Sequence, residues 1–321
     1  MGFKAGNRSD HLAWRLGGWL AQLAFSILIL VLIVFVLTQV APGDAARLRL
    51  GPRASQEEVD VLRKQLGLDQ NILVQFGSYV GRLARADLGT SINGEPVSEV
   101  IRQRIDKTWW LLVGTSVFSL ALSFPLAWLS AYYRDRAIDH VIRFAVLVAL
   151  FMPVFWIGFL LIRFLALPTG WFPVAGLGSS PMELLRSLVL PCLTGAIAMA
   201  PILVRSLRSS LIEVISADYV TVARSLGIRG SALLFRHILR NALGPTIALF
   251  SLNVGYLFFG IVILETTFAI HGLGSQLVTA SIKKDVNVVQ AITIIFAAGV
   301  VLANSCGDLV VRWLDPRQGS R

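Results

Sequence analysis

Six arginines, Arg205, Arg208, Arg224, Arg229, Arg236 and Arg240, fall in one stretch of the chain with no lysine among them. Glu213, Asp218 and His237 share that stretch, and Gly227 divides it. Such a set can pair charges and donate hydrogen bonds to a protein surface or to lipid headgroups. It is not equipped to break bonds. The four histidines, His11, His140, His237 and His271, are scattered, and no His-Glu-x-x-His or other metal-ligand cluster occurs. No Gly-x-x-x-x-Gly-Lys-Ser/Thr phosphate loop occurs either. An intramembrane protease would need a serine and a histidine facing each other inside the bilayer, and these histidines lie at span ends or in loops. The sequence therefore offers no catalytic residue and no metal site.

The elements that must position the arginines are apolar. The chain has 321 residues, 55% of them hydrophobic and 15% charged, with a mean hydropathy of +0.70. That balance excludes a soluble domain and indicates an integral membrane protein. A spanning helix needs about 20 apolar residues, because the hydrocarbon core is about 30 Å thick and each residue rises about 1.5 Å. Leu20–Val40, Trp109–Tyr132, Phe144–Ile162, Ser187–Val204, Ala242–Leu264 and Val286–Cys306 meet or approach that length without a charged residue. Helices are expected, since every backbone amide must be satisfied within lipid. Pro125, Pro153, Pro191 and Pro201 are expected to kink spans.

The net charge of +10 is explained by membrane topology rather than by nucleic acid. With the N-terminus inside, Lys4, Arg8 and Arg15, then Arg134, Arg136 and Arg143, then the six arginines, then Arg312, Arg317 and Arg321 all fall on the cytoplasmic side. Outside, Leu167–Glu183 has no basic residue and Ala269–Asp285 has only Lys283 and Lys284. The expected layout is a cytoplasmic tail over 1–18, a first span over 19–40, an extracytoplasmic segment over 41–107, a five-span core over 108–309 and a cytoplasmic tail over 310–321. The core includes the cytoplasmic loop 205–243. The first run exceeds a typical signal-peptide core and lacks an A-x-A site, so it reads as a span. Cys192 and Cys306 fall in spans and read as small packing residues.

In the outer segment Ser55 is placed to cap a helix with Glu57 and Glu58 in its first turn, and Gly67 is placed to close it. A further amphipathic stretch is expected in Leu68–Asp87. In the arginine loop, Asp218 is expected to cap a helix Tyr219–Leu226 that Gly227 ends in the left-handed conformation. Ser231 is expected to cap the next helix, which runs past Asn241 and Pro245 into the fifth span. An eight-residue helix is marginal alone in water, so it must pack on something; docking into another protein is the expectation.

At these residues the chain resembles the membrane subunits of ATP-binding-cassette importers, in the dipeptide/oligopeptide/nickel branch. The motifs are DYVTVARSLG followed by RHILRNALGP, LTQVAPGD (Leu37–Asp44), WFPVAGLG (Trp171–Gly178) and ETTFAIHGLG (Glu265–Gly274) with DVNVVQA (Asp285–Ala291). Where the general importer loop has Glu-Ala-Ala, this chain has Thr221-Val222-Ala223, so only the second alanine survives.

The resemblance implies an all-α permease of type I importer fold with six transmembrane helices and a cytoplasmic coupling helix, in a bacterial inner membrane. It implies a second homologous permease, two cytoplasmic ATPase subunits that bind ATP and Mg, an extracytoplasmic substrate-binding protein, surrounding lipid, and no cofactor in this chain. Glu213, Asp218, Tyr219, Ala223, Arg224, Gly227, Arg236, His237, Asn241 and Pro245 are the ATPase-coupling candidates. Asn253 and Glu265 are the candidates for the translocation path or gate.

Alternatives stand beside these roles. Arg224, Arg236, His237 and Arg240 could snorkel to headgroups. Glu213 and Asp218 could make only loop salt bridges. Asn253 could bond a neighbouring helix. Glu265 could sit in the interface. Gly272 and Gly274 read as a turn or close packing. Peptides are the commonest cargo of the branch, with nickel or a metal chelate second. A non-transporting scaffold or sensor that recruits an ATPase is the reading from another class. With no phosphate loop, the purified chain alone should show no ATP turnover in a phosphate-release assay; turnover would place nucleotide chemistry in this subunit.

Overall fold

A computed structural model describes residues 24–36, 54–65 and 69–314, with positions 22, 47, 50 and 67. The LTQVAPGD motif, the N-terminal tail and residues 315–321 of the C-terminal tail lie outside the described residues. Among the described residues the secondary structure is helical, apart from an isolated antiparallel bridge between Thr90 and Pro96. Four unbroken helices there are long and apolar enough to cross a membrane, and a bent pair raises the number to five. The first expected span is described as α1, Ala24–Val36. The chain divides into two compact units.

The first unit joins 1–102 to 279–302. Its helix α2 (Gln56–Gln65) starts as the sequence predicts. The Glu58 N–H donates to Ser55 Oγ, and the Ser55 N–H donates back to the Glu58 carboxylate at 2.8 Å, holding that carboxyl below its usual range. Gly67 follows in the left-handed conformation, φ +68. Helix α3 (Ile72–Ala84), capped by Asn71, realises the second amphipathic stretch. Its Phe76, Tyr79, Val80 and Leu83 pack with Val31 and Phe35 of α1. The ring of Phe35 lies 5.3 Å from Phe76 and 5.7 Å from Tyr79. Burial pushes the Tyr79 hydroxyl up to about 12. After the short helix α4 (Val97–Arg102), the rest of this unit comes from residues 279–302, which include the start of helix α12 (Val286–Leu314). There the DVN residues fasten the 89–92 loop: the Ile92 N–H donates to Asp285 Oδ2 at 3.0 Å, and Asn287 Nδ2 donates to the Thr90 carbonyl at 2.7 Å.

The second unit joins 103–278 to 303–321. Its helices are α5 (Ile105–Tyr132), α6 (Ala137–Phe151), α7 (Val154–Thr169, with a π turn over Ile162–Ala166), α8 (Pro181–Ile215), α9 (Asp218–Ser225) and α10 (Leu233–Thr267, π-wound over Leu233–Leu239). Helix α11 (Leu273–Ile282) follows.

The fourth expected span, read as the shortest, is the start-to-finish helix α8 of 35 residues. Its apolar window is 72% buried, against 33% for α5 and 28% for α10, which makes it the centre of the unit. A reciprocal capping box between Ser180 and Glu183, with Pro181 in the first turn, starts it well before Ser187. Small residues let neighbours close in. A Cβ on Gly195 would lie 2.5 Å from Thr115 Cγ2, and one on Gly114 would lie 2.5 Å from Cys192 Sγ. Cys192 is indeed a buried packing residue, whereas Cys306 is exposed.

The third expected span, Phe144–Ile162, is not one straight helix. Helices α6 and α7 meet at 113°. Pro153 lacks an amide to donate and forces Met152 before it into an extended conformation, φ −83 and ψ 128. The other prolines behave differently: Pro125 stays inside α5, and Pro191 and Pro201 stay inside α8.

Past Val204, helix α8 carries Arg208, whose charge is paired. Its Nη2 donates to Asp139 Oδ2 at 2.5 Å, and its Nε donates at 2.9 Å to both Asp139 Oδ1 and Ser130 Oγ. The Ser130 hydroxyl and the Asp135 N–H also donate to the Asp139 carboxylate. Asp139 is 0% exposed and Arg208 19%. Removing one member of a buried pair strands the other, at about 3–5 kcal/mol. Asp139→Ala should therefore lower the thermal unfolding midpoint sharply. An Asp139→Leu, Arg208→Met double substitution should recover most of the loss, since no charge is left stranded. A double variant as unstable as Asp139→Ala would show that the pair is not coupled.

Candidate functional site

Helix α9 begins at Asp218, one residue earlier than expected, with Ala217 at the cap position and no side-chain capping bond. Asp218 is thus in the first turn, where its charge still favours the helix dipole, rather than at the cap. The end of the helix follows expectation: Gly227 has φ +83, its N–H donates to the Arg224 carbonyl, and the Ile228 N–H donates to the Ala223 carbonyl. Ser231 does not stand at the next cap. Arg229 does, and Gly230, at φ +63, turns the chain one residue sooner.

The helix has two faces. Val220 and Ala223 are buried among Leu207 and Leu211 of α8 and Ile238, Leu239 and Ala242 of α10. The marginal helix therefore finds something to pack on within its own chain, on α8 and α10. An adjacent side carries Tyr219, Val222 and Leu226, exposed by 44%, 57% and 75%. Their spacing places them along one side of the helix. Arg224 and Arg236 are exposed nearby and make no ion pair among the described residues. The result is an apolar strip beside free cations, a surface able to bury itself in a partner.

The structure brings several of the sequence-predicted residues together. Asn241 Nδ2 donates to the Tyr219 hydroxyl at 3.1 Å and to the His237 carbonyl at 2.9 Å, tying α9 to the start of α10. Glu213 and Asp218 are exposed and make no salt bridge among the described residues, so the loop-bridge alternative is not what holds them. Pro245 lies exposed within α10.

Asn253 and Glu265 do not join this group. They lie 12 and 24 residues beyond Asn241 on α10, about 18 and 36 Å along the axis. Asn253 bonds its own helix, donating to the Leu249 carbonyl at 2.7 Å, rather than a neighbouring one. Glu265 is 0% exposed. Thr108 Oγ1 donates to its Oε1 at 2.7 Å, and the Ser275 N–H donates to its Oε2 at 2.8 Å. The Leu273 N–H in turn donates to Thr108 Oγ1 at 2.8 Å. A Cβ at Gly272 would collide with the Glu265 carboxylate, and one at Gly274 would lie 2.8 Å from Val262 Cα. The HGLG glycines are thus close-packing residues, and Glu265 fastens the loop that contains them.

Sequence reasoning missed the structural pairing of Ser130, Asp139 and Arg208, and of Thr108 with Glu265. Asp139 sits just before the third apolar run and Arg208 just after the fourth, so each reads as an ordinary loop charge. Nothing in a single sequence signals that they pair across 69 positions.

The comparisons agree with this architecture. The family described as "Binding-protein-dependent transport system inner membrane component" matches residues 123–320, and its N-terminal family matches residues 19–109. The "Probable D,D-dipeptide transport system permease protein DdpB" of Escherichia coli is 36% identical over 312 residues, covering 89% of this chain and 92% of that one. The "Oligopeptide transport system permease protein AppB" of Bacillus subtilis is 34% identical over 295 residues, covering 90% and 93%. The "Glutathione transport system permease protein GsiC" of Salmonella typhi is 32% identical over 292 residues, covering 91% and 94%. Among solved structures, the inward-facing MetNI methionine transporter is similar in fold, with a TM-score of 0.56 at 17% identity over 68% of this chain and 97% of that one. An amino acid transporter follows at a TM-score of 0.51 and 14% identity, over 67% and 94%. The bundle, the ordered motifs and these matches together make the chain a member of the family of inner membrane components of binding-protein-dependent transport systems.

Proposed function

We propose that this chain is one of two related permease subunits of an ATP-driven importer, and that its cargo is a dipeptide or oligopeptide. The observation that supports this most is identity above 30% over about nine-tenths of the chain to permeases whose names specify dipeptide, oligopeptide and glutathione transport. Two cytoplasmic ATPases would bind ATP and Mg, and an extracytoplasmic binding protein would deliver cargo. The chain would cross the membrane six times with both termini in the cytoplasm. Residues 41–107 would lie outside, and the loop 205–243 would lie inside.

In this reading α9 is the coupling helix. Its exposed strip of Tyr219, Val222 and Leu226 enters a cleft of the ATPase, with Arg224, Arg236 and Glu213 meeting polar groups at the rim. Its buried face, Val220 and Ala223, keeps it joined to α8 and α10, and the Asn241–Tyr219 bond, beside His237, stops it sliding. Gly227 fixes its far end, and Pro245 marks where α10 enters the core. ATP closes the ATPase dimer, the helix moves as a lever, and the bundle opens outward; hydrolysis reverses it. ATP supplies the bias because it binds the closed dimer better than the open one. Asn253 would face the path. Glu265 would act on the gate through the loop it holds, not by touching cargo.

Gly227→Val tests the coupling role. A β-branched residue at φ +83 is strained, so the lever should lose its fixed end. Peptide uptake should fall at least tenfold while ATP hydrolysis by the assembly continues and membrane insertion is normal; full uptake would remove α9 from the coupling role. A second measurement tests topology: a reporter joined after Arg321 should be active only in the cytoplasmic format, and activity in the extracytoplasmic format would invert the layout.

A further inference from the structure

A cleft between α6 and α8 has no part in the function proposed above. Its volume is about 750 Å³, and its walls include His140, Arg143, Phe144 and Leu147 of α6 and Arg205, Arg208, Ser209 and Ile212 of α8. Both sets follow the i, i+3, i+4, i+7 spacing of a single helix face. Two of the four arginines at the cleft are already neutralised: Arg208 by Asp139, and Arg134 by Asp135 at 3.3 Å. Arg143 and Arg205 are exposed and make no ion pair among the described residues; the one carboxylate lining the cleft, Asp135, is paired with Arg134. Two uncompensated guanidinium groups thus share one cavity, with the Ser209 hydroxyl and His140 beside them.

The apolar surface next to these cations is equally one-sided. On α6, Val141, Phe144, Leu147, Val148 and Phe151 are exposed by 67%, 68%, 44%, 42% and 78%. From Arg143 to Phe151 the helix rises about 12 Å. Polar and apolar ligand requirements are therefore stacked along one helix: two positive charges at its start, then a bare hydrocarbon strip toward its end. A small hydrophilic anion would satisfy only the first. An amphiphile with a phosphodiester head and acyl chains would satisfy both.

We propose that this cleft binds the headgroup of an anionic phospholipid, with Arg143 and Arg205 on the phosphate and the acyl chains along Phe144, Leu147 and Phe151. Guanidinium groups suit this role because their planar donors match phosphate oxygens. Basic pockets between membrane helices are a recurring form of lipid recognition. The lining at the end of α8 leads directly into α9, so the bound lipid sits beside the root of the docking helix. Assigning the lipid to the cytoplasmic leaflet rests on the topology proposed above; the binding itself does not.

The test uses the full chain, with any subunits that co-purify, equilibrated with an equimolar mixture of phosphatidylglycerol and phosphatidylcholine and weighed by native mass spectrometry. The wild type should retain phosphatidylglycerol selectively. Arg143→Gln with Arg205→Gln should weaken that retention by roughly thirtyfold, at about fivefold per charge. Arg143→Lys with Arg205→Lys should keep most of it, which separates lost charge from lost fold. Arg186→Gln with Arg229→Gln removes the same charge elsewhere and should change nothing. Equal retention of the two lipids by the wild type, or an equal loss in the Arg186/Arg229 variant, would overturn the proposal. So would displacement of the lipid by millimolar inorganic phosphate, which would make the cleft a site for a small anion. Reporter and uptake assays read topology and transport separately, so failure here would leave the importer reading intact.

Discussion

A carboxylate enclosed away from water must be fully paired or it destabilises whatever encloses it. Helix α5 is held at each end by such a group. Near its start, Thr108 donates to Glu265 of α10; near its end, Ser130 donates to Asp139 of α6. The two contacts are 22 residues apart on one helix, about 33 Å along its axis. That is close to the thickness of the hydrocarbon core, about 30 Å. The polar fastenings are thus spaced about one core thickness apart, and the stretch of α5 between them buries mainly small and apolar side chains, Thr115, Ser119 and Ala127 among them. The second fastening reaches further. Through Arg208 it fixes the end of α8 beyond the apolar run, and that end is the root of α9.

The α9 segment has a division of labour that follows from its length. Eight residues cannot hold a helix by backbone bonds alone. Val220 and Ala223 supply the packing, the left-handed Gly227 supplies the stop, and Asn241 supplies a polar tie to α10. With its inner face so committed, the adjacent side is left to carry the exposed side chains of Val222 and Leu226 beside the tied Tyr219. The absence of the first Glu of the general importer pattern fits this arrangement. Position 221 is an exposed threonine, and the residue that matters for holding the helix is the surviving Ala223, which is small enough to sit against α8 and α10.

How much of this could be read from the residues depends on the range of each interaction. Local signals were legible. The Ser55–Glu58 capping box, the glycines at 67 and 227, and the apolar runs behind α5, α8, α10 and α12 all act within a few residues of themselves. The misplacements were local competitions: Ala217 rather than Asp218 stands at the cap, and Gly230 turns the chain before Ser231 can; the bend at Pro153, by contrast, was legible in the residue type. Long-range pairing was illegible. Asp139 and Arg208 resemble the loop charges around them, and Glu265 reads as an acid near a membrane surface until Thr108 and the HGLG backbone close over it. The extent of α8 was misjudged at both ends, since its capping box at Ser180 and its charged continuation through Arg205 and Arg208 lie outside the apolar run.

The pairing of the DVN residues with the 89–92 loop has a consequence for biosynthesis. The bond from Ile92 to Asp285 closes a gap of 193 residues. At a synthesis rate of roughly 5–20 residues per second, the early segment waits about 10–40 s for its partner to leave the ribosome. During that interval the 89–92 loop has neither Asp285 nor Asn287 to hold it, and the Phe35, Phe76 and Tyr79 cluster is the contact already available to the nascent chain. The first unit is thus completed only when α12 has begun to be made, so a chain truncated before α12 would leave the 89–92 loop without its partners even with the earlier helices formed.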